Sequence, residues 1–396
     1  MGSVSALRAC HNIMDVRDLA KRRLPHPIFE FLEGGSETEF TLRRNTAAFD
    51  DFQLIARCLV NVESIDTTAR ILGQSTALPL ICSPTGASKV FHPEGELAVA
   101  RAAARAGVLY GLATASTFCL EDVAAVGRGP KMFLLYPYKD RSIMWELMDR
   151  ARAAGYSSLC LMVDVPVKGK RERDLRTGFN MAPSFSLALS AMRRPAWAFG
   201  QLCGGPVTLA NFSRAGAGAI SQLDAAITWK DIGEIVHRWA GPFAFKGIMS
   251  AEDAIRAADA GATAIFVSNH GGRQLDGAAA PLDVLPEIVA AVGRRIEVIL
   301  DGGIRRGVHI LKALALGATA CSVGRPYLYG LSAAGEAGVL RTLEILRAEF
   351  ETAMKLVGCP DIASIDASMI RRLGAHSTEQ ADVESPHHNR LRARSL

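Results

Sequence analysis

The stretch VSNHGGRQLDG, residues 267–277, sets His270 at the end of an apolar run and Arg273 three residues on, with Gly271 and Gly272 between them. An imidazole changes charge near neutral pH and can carry a proton. A guanidinium offers a planar fork of N–H donors that suits a carboxylate or a phosphate. The glycines keep the backbone slim beside both groups. Two other stretches, DGGIRRG at 301–307 and VGRP at 323–326, combine glycines with Arg305 and Arg325. Closely approaching backbone N–H groups and guanidinium forks match a phosphate monoester.

These residues need a frame that brings them together. From about residue 78, short apolar runs alternate with alanine-rich periodic stretches. LPLICSPTG, VLYGLAT, KMFLLYPY, SLCLMVDVP, PFAFKG, AIFVSNH, IEVILDGG and ACSVG read as eight strands, with helical patterns following most of them and a long helix near 335–357. Nearly continuous apolar strands are buried on both faces, as in a parallel sheet with helical crossovers. Eight such units predict an α/β fold, the TIM (β/α)8 barrel. An open doubly wound sheet is the alternative, but no GxGxxG follows the first strand. The pattern divides the chain into an N-terminal helical extension over 1–75, a barrel over 76–375 and a disordered basic tail over 376–396. An irregular insertion, 180–230, follows the fourth strand and lacks strand periodicity. Barrel chemistry sits at the C-terminal strand ends. In order these ends carry Pro84-Thr85-Gly86, Thr114, Tyr136, Asp164, Lys246, Ser268-Asn269-His270, Asp301-Gly302-Gly303 and Gly324-Arg325.

Bulk properties narrow the function. The 396 residues are 49% hydrophobic and 21% charged, with a formal net charge of +5. That charge is small for this length, and no basic block like a nucleic-acid-binding arm appears. The eight cysteines form no CxxC pair, so neither a metal site nor a disulfide framework is expected, which suits a reducing compartment. No signal-peptide core and no run of about 18 apolar residues is present, which predicts a cytoplasmic protein.

SNHGGRQLDG, LDGGIRRG, KALALGA and VGRP together resemble the FMN-dependent 2-hydroxy-acid oxidase/dehydrogenase family, which includes glycolate oxidase, L-lactate dehydrogenase and mandelate dehydrogenase. The resemblance runs from about residue 13 to 370 and takes in RLPHPIFEFLEGGSETE, HPEGELAVARAAA, VDVPVKGKRERD and FKGIMSAEDA. RRPAW, LANF and GCPDI are most similar to the mandelate dehydrogenase branch. The resemblance implies FMN as cofactor, a small-molecule 2-hydroxy acid, mandelate- or lactate-like, as substrate, oxygen or a quinone as electron acceptor, and a homotetramer. It assigns His270 as the base, Asp164 as the carboxylate that orients it, Arg171 and Arg273 as a clamp on the substrate carboxylate, and Tyr136 as a phenol that hydrogen-bonds the substrate. It places Lys246 at the flavin N1/O2 edge. The other cofactor contacts it implies are Pro84, Thr85, Gly86, Ser268, Asp301, Gly303, Arg305, Gly324 and Arg325.

Four positions depart from the family pattern. Phe31 stands for a tyrosine, Ala113 for a serine, Leu134 for a glutamine and Met162 for a threonine. The last three normally hydrogen-bond the flavin. Gly86 and Ala115 replace bulkier residues of the glycolate-oxidising relatives, which predicts room for an aromatic or long substrate. Residues 186–212 mix Trp, Phe and Leu with two arginines. In the mandelate dehydrogenase branch the matching segment attaches to the membrane, so a peripheral contact at the inner membrane face is expected, against a lid or an oligomer contact. Two other readings of function stay open: a tailoring flavoenzyme acting on a larger metabolite, and a catalytically idle relative used for binding or assembly.

Overall fold

The computed structural model describes residues 2–180, 185–212 and 222–374; the predicted basic tail lies outside these residues. Eight parallel strands close into a barrel: β1 (Leu80–Thr85), β2 (Leu109–Ala113), β3 (Lys131–Leu135), β4 (Ser158–Met162), β5 (Phe243–Ile248), β6 (Ala264–Ser268), β7 (Glu297–Asp301) and β8 (Ala320–Val323). They pair in chain order, and β8 returns to β1. The structure thus has the predicted TIM-barrel architecture.

Side chains alternate across each strand. One parity faces the surrounding helices and joins the main core. The other fills the lumen with Ile81, Leu109, Met132, Cys160, Ala244, Phe266, Ile299 and Ala320. The same parity, carried to the C-terminal ends, reaches Ser83, Ala113, Leu134, Met162, Lys246, Ser268, Asp301 and Ser322, all buried. The mouth of the barrel is therefore a ring of eight side chains, one from each strand. Its composition is fixed by sequence parity alone.

The lower end is plugged. A hairpin of Ala69–Ile71 and Gln74–Thr76 inserts Ile71 and Leu72 into the lumen cluster. Phe52–Leu54 pairs antiparallel with Ile370–Arg372 and ties the two ends of the described chain together. The N-terminal segment is helical as expected at Ile13–Arg23, His26–Glu33 and Phe40–Ala47, but these short strands escape a periodicity reading because three residues hold no full alternation. The last helix is longer than expected, Arg325–Val357, and breaks at Ala334–Gly335.

The insertion is corrected in one respect. It was expected to be irregular, yet its described part holds helices at Phe185–Met192 and Pro195–Gly204 and a turn of 3-10 helix at Ala210–Phe212. The first packs on helix His26–Glu33, where His26 N donates to Ser190 Oγ at 3.0 Å, and the second rests on the loop after β1. Trp197 Nε1 donates to Val90 O at 3.0 Å, and Gln201 Nε2 to Lys89 O at 2.8 Å. Leu189, Met192, Phe199 and Leu202 remain exposed.

Candidate active site

The barrel mouth opens into a cleft with an empty volume of about 1240 Å³, open solvent at its entrance included. Every predicted site residue lines it except Asp164 and Ser268, which stand directly behind lining residues. Ser268 supports the floor. Lys246 Nζ donates to Asp301 Oδ2 at 2.5 Å and to Ser268 Oγ at 2.9 Å; Ser268 Oγ donates to the same carboxylate oxygen at 2.7 Å, and Ser83 Oγ to Asp301 Oδ1 at 3.1 Å. Burial alone would neutralise both charges, but each partner reverses that for the other. Lys246 is held above its ordinary range by Asp301, and then by Asp164. Asp301 is held below its own by Lys246. The floor thus carries a fixed ammonium.

Asp164 stands behind His270. Its Oδ1 lies 3.1 Å from His270 Nδ1, which leaves Nε2 for the cleft, and its buried Oδ2 has no partner among the described residues. His270 has φ 58°, and Gly271 and Gly272 follow at 63° and 73°, so the chain leaves β6 through three left-handed residues in a row. That path is costly for a non-glycine residue and is held by the surroundings. Gln274 Nε2 donates to Asp164 O and Val167 O, both at 2.9 Å, and fastens the loop after β4 to the loop after β6. Asn269 and Asn45 exchange amide hydrogen bonds at 2.7 and 2.8 Å, joining β6 to the N-terminal segment. Asp276 accepts from Thr38, Phe40 and Thr41 at the start of helix Phe40–Ala47; burial opposes its charge, but these bonds hold its pKa down to about 2.

Three guanidiniums look into the cleft. Arg273 sits deep in the molecule, stacked 5.1 Å over the Phe31 ring, and donates to Phe31 O and Gly34 O at 2.8 Å. Burial, then repulsion from Arg171 and Arg325, pulls its pKa well below the ordinary value. Arg171 is lowered too, chiefly by burial. Arg325 donates to Leu32 O, Gly271 O and Gly34 O, and burial lowers it to about 10. Arginines stay protonated in proteins. Burial is the first cause of these shifts; Asp174 offsets part of it at Arg171 and Arg273, but no ion pair within 4 Å joins any of the three to a carboxylate among the described residues. The arrangement calls for anions. Arg305 lines the same end of the cleft as Arg325, and its Nη1 donates to Ile304 O.

Gly303 and Gly324 line this end. A Cβ on Gly303 (φ 78°) would lie 1.9 Å from Asn45 O, so only glycine admits the N-terminal segment there; a Cβ on Gly324 would meet nothing nearer than Thr85 Cγ2 at 3.6 Å. Thr85 Oγ1 lies 2.6 Å from Tyr327 Oη, which donates to Ser83 O. A glycine-lined slot with guanidiniums at one end and an ammonium on the floor fits a planar heterocycle that carries a phosphate.

The expectation of open room at Gly86 is corrected. A Cβ there would lie 2.9 Å from Ala115 O, so this glycine allows two loops to touch rather than widening the cleft. Ala115 lines the cleft with a small side chain, and Phe31, Phe91, Met162 and Leu209 give it an apolar wall. Leu209 was not anticipated as a lining residue. Asn211, in the same LANF motif, fixes it there by donating to Thr114 O and Ser116 Oγ at 3.1 and 2.8 Å.

Residues 20–372 match the model of the FMN-dependent dehydrogenase family. This chain belongs to that family. It is 44% identical over 375 residues to L-lactate oxidase from Nostoc sp., which covers 93% of this chain and 100% of the relative. With glycolate oxidase 3 from Arabidopsis thaliana it shares 38% identity, covering 95% of this chain and 98% of that protein. Among solved structures, monotopic (S)-mandelate dehydrogenase superposes with a TM-score of 0.89 at 37% identity, covering 92% of this chain and 100% of that one. A mandelate oxidase variant bound to (S)-mandelic acid gives 0.81 at 41% identity, covering 92% and 98%. The cofactor of this family member is FMN, and the slot fits it.

Gly247 (φ 115°) carries no side chain for a geometric reason: a Cβ would lie 2.5 Å from Asp164 Cβ. Gly247→Ala is expected to push Asp164 away from His270. A displacement of about 1 Å at reacting groups costs on the order of 100-fold. Substrate-driven flavin reduction should therefore fall by about 100-fold while FMN content holds; stopped-flow absorbance measures the first and the visible spectrum the second. Wild-type reduction rates would show that the carboxylate position does not matter.

Proposed function

We propose that this protein oxidises a 2-hydroxy acid with an aromatic or similarly bulky side chain to the 2-oxo acid. One observation carries the reading. Two guanidiniums without an ion-pair partner among the described residues, Arg171 and Arg273, line the same cleft as Lys246 and as His270, which Asp164 backs. The names of the relatives, which include lactate, glycolate and mandelate enzymes, agree with this substrate class.

FMN supplies the two-electron acceptor. Arg305, Arg325 and the glycines at 303 and 324 would hold its phosphate, and Lys246 would stand at its N1/O2 edge. The substrate carboxylate docks between Arg171 and Arg273 and relieves their mutual repulsion. His270 takes up the proton released as the alcohol becomes a ketone, and Asp164 stabilises the resulting imidazolium. Tyr136, whose ionisation is pushed up by burial and by Asp164, stays a neutral phenol and donates to a substrate oxygen. The side chain of the substrate packs on Phe31, Phe91, Met162 and Leu209, where Ala115 leaves space.

His270→Ala should keep FMN and lose turnover by a factor of about 10²–10⁴, the usual contribution of a positioned base. In wild-type protein, (S)-mandelate should reduce the flavin faster than glycolate does. Anaerobic stopped-flow reads both. Near wild-type reduction in the variant would remove His270 from the mechanism; faster reduction by glycolate would remove the bulky-substrate assignment.

The same relatives suggest a place for the protein in the cell. Met192, Phe199 and Leu202 are 71%, 70% and 82% exposed on the insertion, next to Arg193 and Arg194. None of the described helices is long and apolar enough to cross a membrane. Such a patch suits peripheral contact with an anionic lipid surface. The protein should co-sediment with vesicles containing phosphatidylglycerol, and Phe199→Ser with Leu202→Ser should release it. Wild-type protein that stays in the supernatant at low salt contradicts membrane contact.

A further inference from the structure

The ring of eight side chains at the barrel mouth is divided by chemistry into two arcs. Five neighbouring strands supply polar residues: Lys246 on β5, Ser268 on β6, Asp301 on β7, Ser322 on β8 and Ser83 on β1. The three remaining strands, also contiguous, supply Ala113 on β2, Leu134 on β3 and Met162 on β4. Ala113 and Leu134 are paired in register across β2 and β3, and Met162 faces Lys246 across the seam between β4 and β5.

Part of the backbone beside this arc is already committed. Leu134 O already accepts from Thr114 N at 2.9 Å and from Thr114 Oγ1 at 2.5 Å. Thr114 is the one hydroxyl residue immediately above Ala113, and its donor is committed there. Its own carbonyl is taken by Asn211 Nδ2. The next residue of lumen parity on β3 is Tyr136, at the rim, where the proposed mechanism places it on substrate. A flavin ring has polar atoms around its pyrimidine edge and at N5. Of the three apolar residues Met162 lines the cleft, while Ala113 and Leu134 are buried in the ring, so a flavin seated here would find charged and hydroxyl side chains on one side only.

We infer that this protein holds its flavin by a one-sided polar grip, and that Ala113, Leu134 and Met162 are tuning residues that loosen FMN and disfavour its reduced form. The inference rests on the flavin assignment made above. Its physical basis is the asymmetry of hydrogen bonding. A buried acceptor or donor that loses water and gains no partner weakens binding, and electron-rich reduced flavin depends more on nearby donors than the oxidised form does. Wild-type protein should therefore bind FMN more weakly, and at a lower reduction potential, than variants that place donors on the apolar arc.

The test uses the full chain, stripped of flavin and titrated with FMN. Leu134→Gln, Met162→Thr and the double variant are compared with wild type for FMN dissociation constant and for reduction potential against a reference dye. Ala113→Ser adds a single oxygen and serves if the larger changes do not fold, as judged by melting of the apoprotein. The double variant should bind FMN about tenfold more tightly, the equivalent of one restored buried hydrogen bond, and its potential should move upward. The singles show whether the two sites couple. FMN uptake by the variants alone supports the inference in its strongest form. Stoichiometric FMN in wild type, with affinity within twofold and the same potential in every folded variant, overturns it. FMN uptake by neither wild type nor any variant overturns the flavin assignment itself, and the inference with it.

Discussion

The Lys246–Asp301 ion pair turns the top of the barrel from core into site. Below it the lumen is filled with aliphatic and aromatic side chains, like any packed barrel interior. At its level the same strand parity delivers an ammonium and a carboxylate, nearly sealed from solvent and 2.5 Å apart. Taking two charges out of water costs several kcal/mol per ion, and a well-packed apolar pair of similar size is often no less stable. Stability is thus a weak reason for the pair. A fixed positive charge beneath a cleft is a strong one, because in a water-poor setting it acts on charge developing above it. The two serines that donate to Asp301 hold the carboxylate in place, so the ammonium stays charged and oriented.

The rest of the site follows from placing more positive charge around that floor. Arg171 and Arg325 both repel Arg273, and the N-terminal segment contains Arg273 and Arg325 by offering carbonyls at Phe31, Leu32 and Gly34. This explains why a segment outside the barrel is folded so tightly onto it. Ser36 N donates to Gly272 O at 2.9 Å, and a Cβ on Gly35 would lie 2.7 Å from that oxygen. The glycines of SNHGG are thus needed on both sides: they turn the chain out of β6 and admit the N-terminal segment. Binding an anion relieves the repulsion, so the apoprotein is prepared for ligands that carry carboxylate or phosphate.

Much of this was legible in the sequence, for definite reasons. The eight strands could be read because burial on both faces leaves a continuous apolar run. Strand-end residues such as Lys246, His270 and Asp301 could be read because a barrel gathers its strand ends at one rim. Other features depend on contacts that local pattern does not carry. Asn45 lies on a helix and finds Asn269 far along the chain. Gln274 and Asp276 sit in the RQLDG motif, yet what they hold is visible only once the loops are folded. The helices of the insertion have no clear apolar stripe because most of their surface is unburied. Gly86 misled because a missing side chain suggests space, whereas the position is filled by the neighbouring loop. The three apolar departures at 113, 134 and 162 stood out one by one in the sequence; only the closed ring makes them a contiguous arc.

If the buried ion pair is kept for the cofactor and not for the fold, replacing both partners at once, Lys246→Met with Asp301→Leu, should separate the two. A thermal melt of the apoprotein should give a melting temperature close to or above that of wild type, since no unpaired charge is left behind. Titration with FMN should give an affinity weakened by about 10- to 100-fold, the scale of a lost charge-assisted interaction. A double variant that binds FMN as tightly as wild type, with its flavin reduced by substrate at the wild-type rate, would show that the cofactor does not depend on the pair.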